Sequence, residues 1–291
     1  MVAEPVVFTD PSNSANLIMF HMGYSTSNGP AAIGRATASV SNPTSWTEYS
    51  GNPIISPAYS TRLDSIQLVA GTWYLYSSNQ SSHAVDLWTS TDGFNWAINT
   101  SGVLTPSGQG CTDGVEVGQL AVLYSGSTWD GWYSYWGQTT PLTEPGIRHA
   151  TSSDGIHWTK DTGCANVLST GVPPASDSAF IEWHQVQKIG PYYVISYEGY
   201  NNNNWTANLA YSVNPAGPFV KSLENPVFSG TFNSGDWDQN HIATPAYYQI
   251  GTKWYLFYQG SAGGLGGGNY GASPWSVGMA TLASDPTAAI P

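Results

Sequence analysis

Cations are scarce in this sequence. Among 291 residues only 7 are Lys or Arg, against 19 Asp or Glu, so the formal net charge is −12. So few positive groups cannot neutralise a row of phosphates, which excludes nucleic acid as a partner. The same shortage argues against an anionic membrane surface and a highly anionic polysaccharide. Cysteine is nearly missing: Cys111 and Cys164 are the whole set. Two cysteines make no metal site by themselves, and they read either as two buried thiols or as one disulfide. No run of about 18 apolar residues occurs, so no membrane-spanning helix is expected. The start, MVAEPVVF, lacks the basic and apolar regions of a signal peptide, so any such peptide is expected to have been removed. Helical periodicity is missing too.

What is present points elsewhere. The chain is 13% aromatic and 41% hydrophobic, and its acids are scattered, which excludes disorder. Solubility must come from Ser, Thr, Asn and Gln. A surface of amides, hydroxyls and aromatics suits secretion and a neutral, hydroxyl-rich ligand. Sequons at Asn79, Asn99 and Asn204 fit a secreted surface.

The chain repeats itself. STDGFNW (Ser90 to Trp96) and SSDGIHW (Ser152 to Trp158) share one pattern. ASVSNPTSW, YSVNPAGPF and ATLASDP are weaker copies. Alternating aromatic strands also recur: LIMFHMG, TWYLYSS, LAVLYSG, YYVISYEG and KWYLFYQG. Before each lies a tight turn and another short strand: PVVFT, SIQLVA, GVEVG, HQVQKI and PAYYQI. Each unit therefore reads as four antiparallel strands, and the fold expected is an all-β, five-bladed β-propeller. It forms one domain over 1–291, with blades near 1–56, 57–107, 108–170, 171–228 and 229–291. The last blade shows no obvious fourth strand, and closure through the chain termini is one solution. In the Asp-Gly turns, Asp92 and Asp154 cap their own turns and the Trp that follows packs between blades.

Strand geometry selects a face. The start of each inner strand, the loops between second and third strands, and the connections between blades all lie at one end. Function belongs there, where loops vary on a rigid scaffold. Alignment on the turn glycines puts Glu4, Asp64, Asp113, Glu182 to His184 and His241 to Thr244 at the blade starts. Clustered carboxyl groups in a concave, aromatic-lined site split their pKa values into an acid and a base, as glycosidic cleavage requires. Aromatic platforms accompany them. Trp129, Trp132 and Trp136 lie in Ser127 to Gly146, read as a long loop. Trp183, Trp205, Trp237 and Trp275 lie near the same end. Glu198 reads as a further substrate contact and GGLGGGNYG (Gly263 to Gly271) as a lid over the funnel. Arg62 reads as a structural partner of Asp64.

EWHQVQKIGPYYVISYEG (Glu182 to Gly199) resembles the fourth-blade segment of glycoside hydrolase family 43 and its relatives in families 32, 62 and 117. The resemblance implies a general acid at Glu182. TDGVEVG is similar to the third-blade segment whose Asp tunes the acid, which implies that role for Asp113. Glu4-Pro5 stands where the first blade of the family has Asp-Pro, with the Asp as general base. The base is thus Glu4 or Asp64. NHIATP resembles a fifth-blade segment with a His near the axis, which implies a sugar- or cation-binding role for His241 and a structural calcium ion close by. No cofactor is required.

The reading favoured is a secreted, monomeric glycoside hydrolase. It would act on a neutral poly- or oligosaccharide containing arabinose, xylose or galactose, with inversion. A non-catalytic carbohydrate-binding propeller and a polysaccharide lyase are the alternatives.

Overall fold

The repeats fold into five antiparallel sheets arranged around one axis. The computed structural model describes residues 2–24, 30–136, 146–263 and 275–289. Blade 1 comprises Val2–Thr9, Asn16–Tyr24, Ala31–Ser39 and Asn42–Glu48. Blade 2 comprises Thr61–Val69, Thr72–Asn79, Ala84–Ser90 and Ala97–Leu104. Blade 3 uses Glu116–Tyr124, Trp129–Trp136, Gly146–Ser152 and Trp158–Lys160. Blade 4 uses Phe180–Ile189, Tyr192–Tyr200, Trp205–Ser212 and Val220–Lys221. Blade 5 has His241–Ile250, Lys253–Ser261 and Ser276–Thr281 among the described residues. Within each blade the strands pair in chain order from the axis outward.

Burial explains which strands carry the aromatic runs. A strand near the axis is covered on both faces by neighbouring blades, so both sets of alternating side chains are apolar. Trp129–Trp136 is buried throughout, whereas the outer strand Asn42–Glu48 is mostly exposed and polar. Five larger apolar clusters fill the five interfaces between blades. Phe20, Ile66 and Leu75 lie between blades 1 and 2, and Tyr76, Leu87 and Tyr133 between blades 2 and 3. Trp132, Ile181 and Tyr197 lie between blades 3 and 4, and Leu209, Tyr247 and Leu256 between blades 4 and 5. Between blades 5 and 1, Ala246, Ile250 and Phe257 meet Val7, Leu17 and Met19. The described ring closes by this packing and by a Thr9 Oγ1–Tyr248 hydroxyl contact of 2.9 Å, not by an exchanged terminal strand.

The Asp-Gly turns behave as the sequence indicates. Asp92 Oδ1 accepts from the Phe94 and Asn95 amides, and Asp154 Oδ1 from those of Ile156 and His157. Gly93 and Gly155 have positive φ. The backbone amide of Asn95 leads the contacts that hold the Asp92 carboxyl well below the usual range. Trp96 and Trp158 pack in the interfaces that precede their blades.

Two expectations change, and one open reading is decided. In blade 3, GVEVG and LAVLYSG are not two strands. They belong largely to one inner strand, Glu116–Tyr124, and the segment read as a loop supplies the second strand, Trp129–Trp136. Cys111 and Cys164 form a disulfide, which ties the entry of blade 3 to the segment after its outer strand. Of the sequons, Asn79 and Asn204 are buried, and only Asn99 is exposed.

Candidate active site at the inner-strand bulges

Every inner strand carries a β-bulge at the same level. The register shifts fall between Ala3 and Val6, Leu63 and Ser65, Gly118 and Ala121, Glu182 and His184, and Ala243 and Ala246. A bulge re-aims side chains that a regular strand would turn into the sheet packing. The residues at these places are Glu4, Asp64, Gln119, Trp183 and Thr244. Four of them have positive φ: Glu4 at 52°, Gln119 at 55°, Trp183 at 28° and Thr244 at 46°. Such backbone is uncommon for side chains of this size, and it collects at binding and catalytic sites.

A chain of hydrogen bonds holds the strained backbone from blade to blade. Glu4 Oε2 accepts from the Leu63 amide at 2.8 Å, and Asp64 Oδ2 from the Leu120 amide at 3.1 Å. Gln119 Oε1 accepts from the Trp183 amide at 2.9 Å. An indole offers no equivalent acceptor. The next link therefore comes from Glu198, on the neighbouring strand of blade 4, whose Oε2 accepts from the Thr244 amide at 2.8 Å.

These acids are taken out of water. Burial pushes the Glu4 carboxyl up to about 8, against the opposing pull of Arg62 and with a further push from Asp64. Burial likewise pushes Asp64 up to about 7, although Ser78 and the Leu120 amide hydrogen-bond to it. Glu4 lies in the wall of a cavity of about 50 Å³, shared with Tyr24, Arg62, Trp183, Thr244 and Trp275. The Arg62 guanidinium lies over the Trp183 ring, 4.4 Å from its centre.

The residues expected from sequence separate into two groups. Glu4 and Trp183 reach the axial cavity, while Asp64 faces Ser78 and Leu120 with both oxygens engaged. Glu182 is buried beside Trp183 and directly opposite Glu198 across the strand pair; it does not line the described cavity. Asp113 lies elsewhere. Arg148 and Lys160, both of blade 3, ion-pair with its two oxygens, and Tyr133 donates at 3.3 Å. The offset follows from the altered strands: alignment on Gly118 mistook a residue inside the strand for the turn, which is at Gly126. The bulge position in blade 3 belongs to Gln119.

The aromatic platforms divide similarly. Trp132 is wholly buried, packs on His149, Tyr193 and Phe219, and donates to the Pro215 carbonyl at 2.8 Å, so it is core. Trp136 is buried at the end of its strand, its ring beside Gly118. Trp205 stacks on Tyr200 at 4.6 Å. Trp237 is half-exposed but stacks on Tyr258 away from the cavity lining. His241 Nδ1 accepts from the Trp205 amide at 3.3 Å, and its ring lies 6.0 Å from that of Trp275. Among the described residues no three His, Cys, Asp or Glu side chains are placed to hold a metal ion. The expected lid, Gly263 to Gly271, lies outside the described residues beyond Gly263, as do 137–145 of the Ser127 to Gly146 segment.

Sequence reasoning missed Gln119, together with Tyr24 and Gln259 of the cavity wall, and assigned Arg62 to Asp64 alone. One signal finds the first. The bulged residue stands seven places before the glycine of the first turn in four blades: Asp64–Gly71, Gln119–Gly126, Trp183–Gly190 and Thr244–Gly251. A second spacing groups Asp113 with two other buried acids. Asp113–Tyr133, Asp177–Tyr197 and Asp238–Tyr258 are each 20 apart and hydrogen-bonded in blades 3, 4 and 5.

In fold, the chain is a five-bladed β-propeller of the kind built by several glycoside hydrolases. A thermostable family-43 glycoside hydrolase superposes with a TM-score of 0.71 at 12% identity, over 98% of this chain and 90% of that one. The catalytic domain of the Coprinopsis cinerea family-62 α-L-arabinofuranosidase gives 0.69 at 16%, over 96% and 90%. An exo-1,5-α-L-arabinanase from a bovine ruminal metagenomic library gives 0.61 at 19%, over 95% and 92%. No protein-family model and no curated protein matches the sequence.

Proposed function

We propose that the protein is a glycoside hydrolase, with Glu182 and Glu4 as its two working carboxyl groups. One observation carries this: a buried carboxyl group at a strained bulge, in the wall of an aromatic cavity on the axis. Glycosidic cleavage needs one group that protonates the leaving oxygen and one that activates water or attacks the sugar. The resemblance of the blade-4 segment gives the first task to Glu182. Glu4, on the facing side of the ring in blade 1, takes the second.

This division has a consequence. A base must be ionised, and Glu4 holds its proton up to about pH 8 in the empty site. Activity then rises with pH through about 8. A profile that instead falls through that pH would give Glu4 the proton-donor role and Glu182 the base. Asp64 and Asp113 are assigned to the framework.

The substrate proposed is a neutral poly- or oligosaccharide containing arabinose, xylose or galactose, cleaved with inversion. Support comes from the low cation content and from the activities of the arabinofuranosidase and arabinanase of like fold. The disulfide supports a secreted protein, since such bonds persist in oxidising compartments. The test is the product profile from a panel of neutral polysaccharides, with the anomer released followed by NMR. No release from any of them would remove the enzymatic reading.

A second reading, a carbohydrate-binding propeller without activity, is favoured by Gln119. It places an amide at the bulge of blade 3, where a third carboxyl group was expected. Sugar binding by the wild-type chain without hydrolysis would establish it.

A further inference from the structure

The wall of the axial cavity is built partly by residues with polar atoms that the protein leaves unused. Trp183 Nε1 and Thr244 Oγ1 are both buried and have no hydrogen-bond partner. Both residues line the same cavity as Glu4. A buried polar group without a partner costs about 1–3 kcal/mol, and most are paired. Two in one small cavity need an explanation.

The backbone makes the coincidence sharper. Trp183 and Thr244 are both bulged residues with positive φ, a strained state for an indole or a β-branched side chain. Each is held by a side chain from outside its own strand: Gln119 for the Trp183 amide, Glu198 for the Thr244 amide. Arg62 covers a face of the Trp183 ring, so that face is not open for a sugar to stack on. What Trp183 has left to offer a ligand is its unpartnered N–H.

We infer that Trp183 Nε1 and Thr244 Oγ1 form a hydrogen-bonding subsite that a sugar hydroxyl completes, and that they set which sugar is accepted. The chemistry of the two atoms selects the ligand. An indole N–H only donates, so the ligand must present an acceptor oxygen. A threonine hydroxyl donates and accepts, which suits a neighbouring hydroxyl rather than a group that can only accept. A cavity of about 50 Å³ holds roughly four water-sized groups, enough for adjacent hydroxyls at the edge of a sugar ring. This rests on the carbohydrate ligand of the proposed function, but not on hydrolysis.

The test uses Trp183→Phe, which removes only the N–H, and Thr244→Val, which removes only the hydroxyl. Arabinose, xylose and galactose, and then the monodeoxy forms of whichever binds, are titrated calorimetrically into wild type and variants. Each variant is expected to bind the parent sugar up to about tenfold more weakly. One monodeoxy sugar should bind wild type with the same loss, and the variant lacking its partner no more weakly than wild type. Thr244→Ser keeps the hydroxyl and should restore binding, which separates the contact from a folding defect. If both variants bind the parent sugar as wild type does while Glu182→Gln abolishes hydrolysis, the subsite is wrong and the hydrolase stands. If wild type binds no sugar, both are wrong.

Discussion

Two buried carboxyl clusters in this molecule look alike in sequence and differ in the partners they are given. Asp113 is surrounded by its counterions: Arg148 and Lys160 pair with it, and Tyr133 adds a hydroxyl. Glu4 is buried as deeply but has one backbone amide on one oxygen and a cation, Arg62, that only partly offsets the lost solvation. A carboxyl group given its full set of partners cross-links a blade. One denied them keeps its proton and can exchange it with a ligand. Burial alone does not distinguish framework from chemistry; the partners do.

The sharpest way to break this comparison is at the proposed proton donor. Glu182→Gln should lower kcat by roughly 100- to 10 000-fold, the usual contribution of a positioned acid. Sugar affinity by calorimetry should hardly change. Full activity in this variant would move the acid elsewhere.

Exchanging carboxyl for amide in both clusters comes next. Asp113→Asn leaves Lys160, whose side chain is fully buried, facing a neutral group. Removing one partner of a buried pair costs about 3–5 kcal/mol. Urea unfolding should show that loss, with activity per folded molecule retained. Glu4→Gln replaces a group that is already neutral at pH 7 with one that still accepts from the Leu63 amide. It should be at least as stable as wild type at pH 7, since only the wild-type chain gains from ionising this group on unfolding, while hydrolysis collapses. Equal unfolding costs would erase the distinction.

The distinction was only partly legible in the sequence. The five-fold repetition, the inner strands of four blades and the turn role of Asp92 and Asp154 follow from alternation and turn chemistry, which are local. Blade 3 was misread because Gly118, inside its strand, imitates a turn glycine. The Cβ of any larger residue there would lie 2.5 Å from the Ser78 hydroxyl, so this glycine answers to packing across blades. That single slip placed Asp113 at the axis and hid Gln119. Trp132 was misread for a related reason: an exposed stacking platform and a core indole have the same sequence, and only the blade interface distinguishes them.

A smaller effect is expected in the pH dependence of stability. Glu4 and Asp64 titrate at about 8 and 7 in the folded chain, against 4.5 and 3.8 as ordinary carboxyl groups. Between about pH 4 and 8 the unfolded chain therefore releases protons that the folded chain keeps, and stability from these groups falls as pH rises through that window. Chemical unfolding across the window should show the decline, and Glu4→Gln combined with Asp64→Asn should flatten it. A decline of the same slope in the double variant would place its origin in other groups.

The smallest effect lies at Arg62, the one cation among the described residues of the cavity wall. Its charge opposes the burial that raises Glu4, and its guanidinium lies on Trp183. Arg62→Gln removes the charge but keeps a polar side chain of similar reach. Glu4 should then hold its proton to still higher pH, and the rising limb of the activity profile should move alkaline by about one pH unit. The plateau rate should change far less than in Glu182→Gln, because Arg62 acts through Glu4. A limb that stays in place while KM rises would mean that Arg62 serves the ligand directly, and that the cavity carries its charge for binding rather than for tuning Glu4.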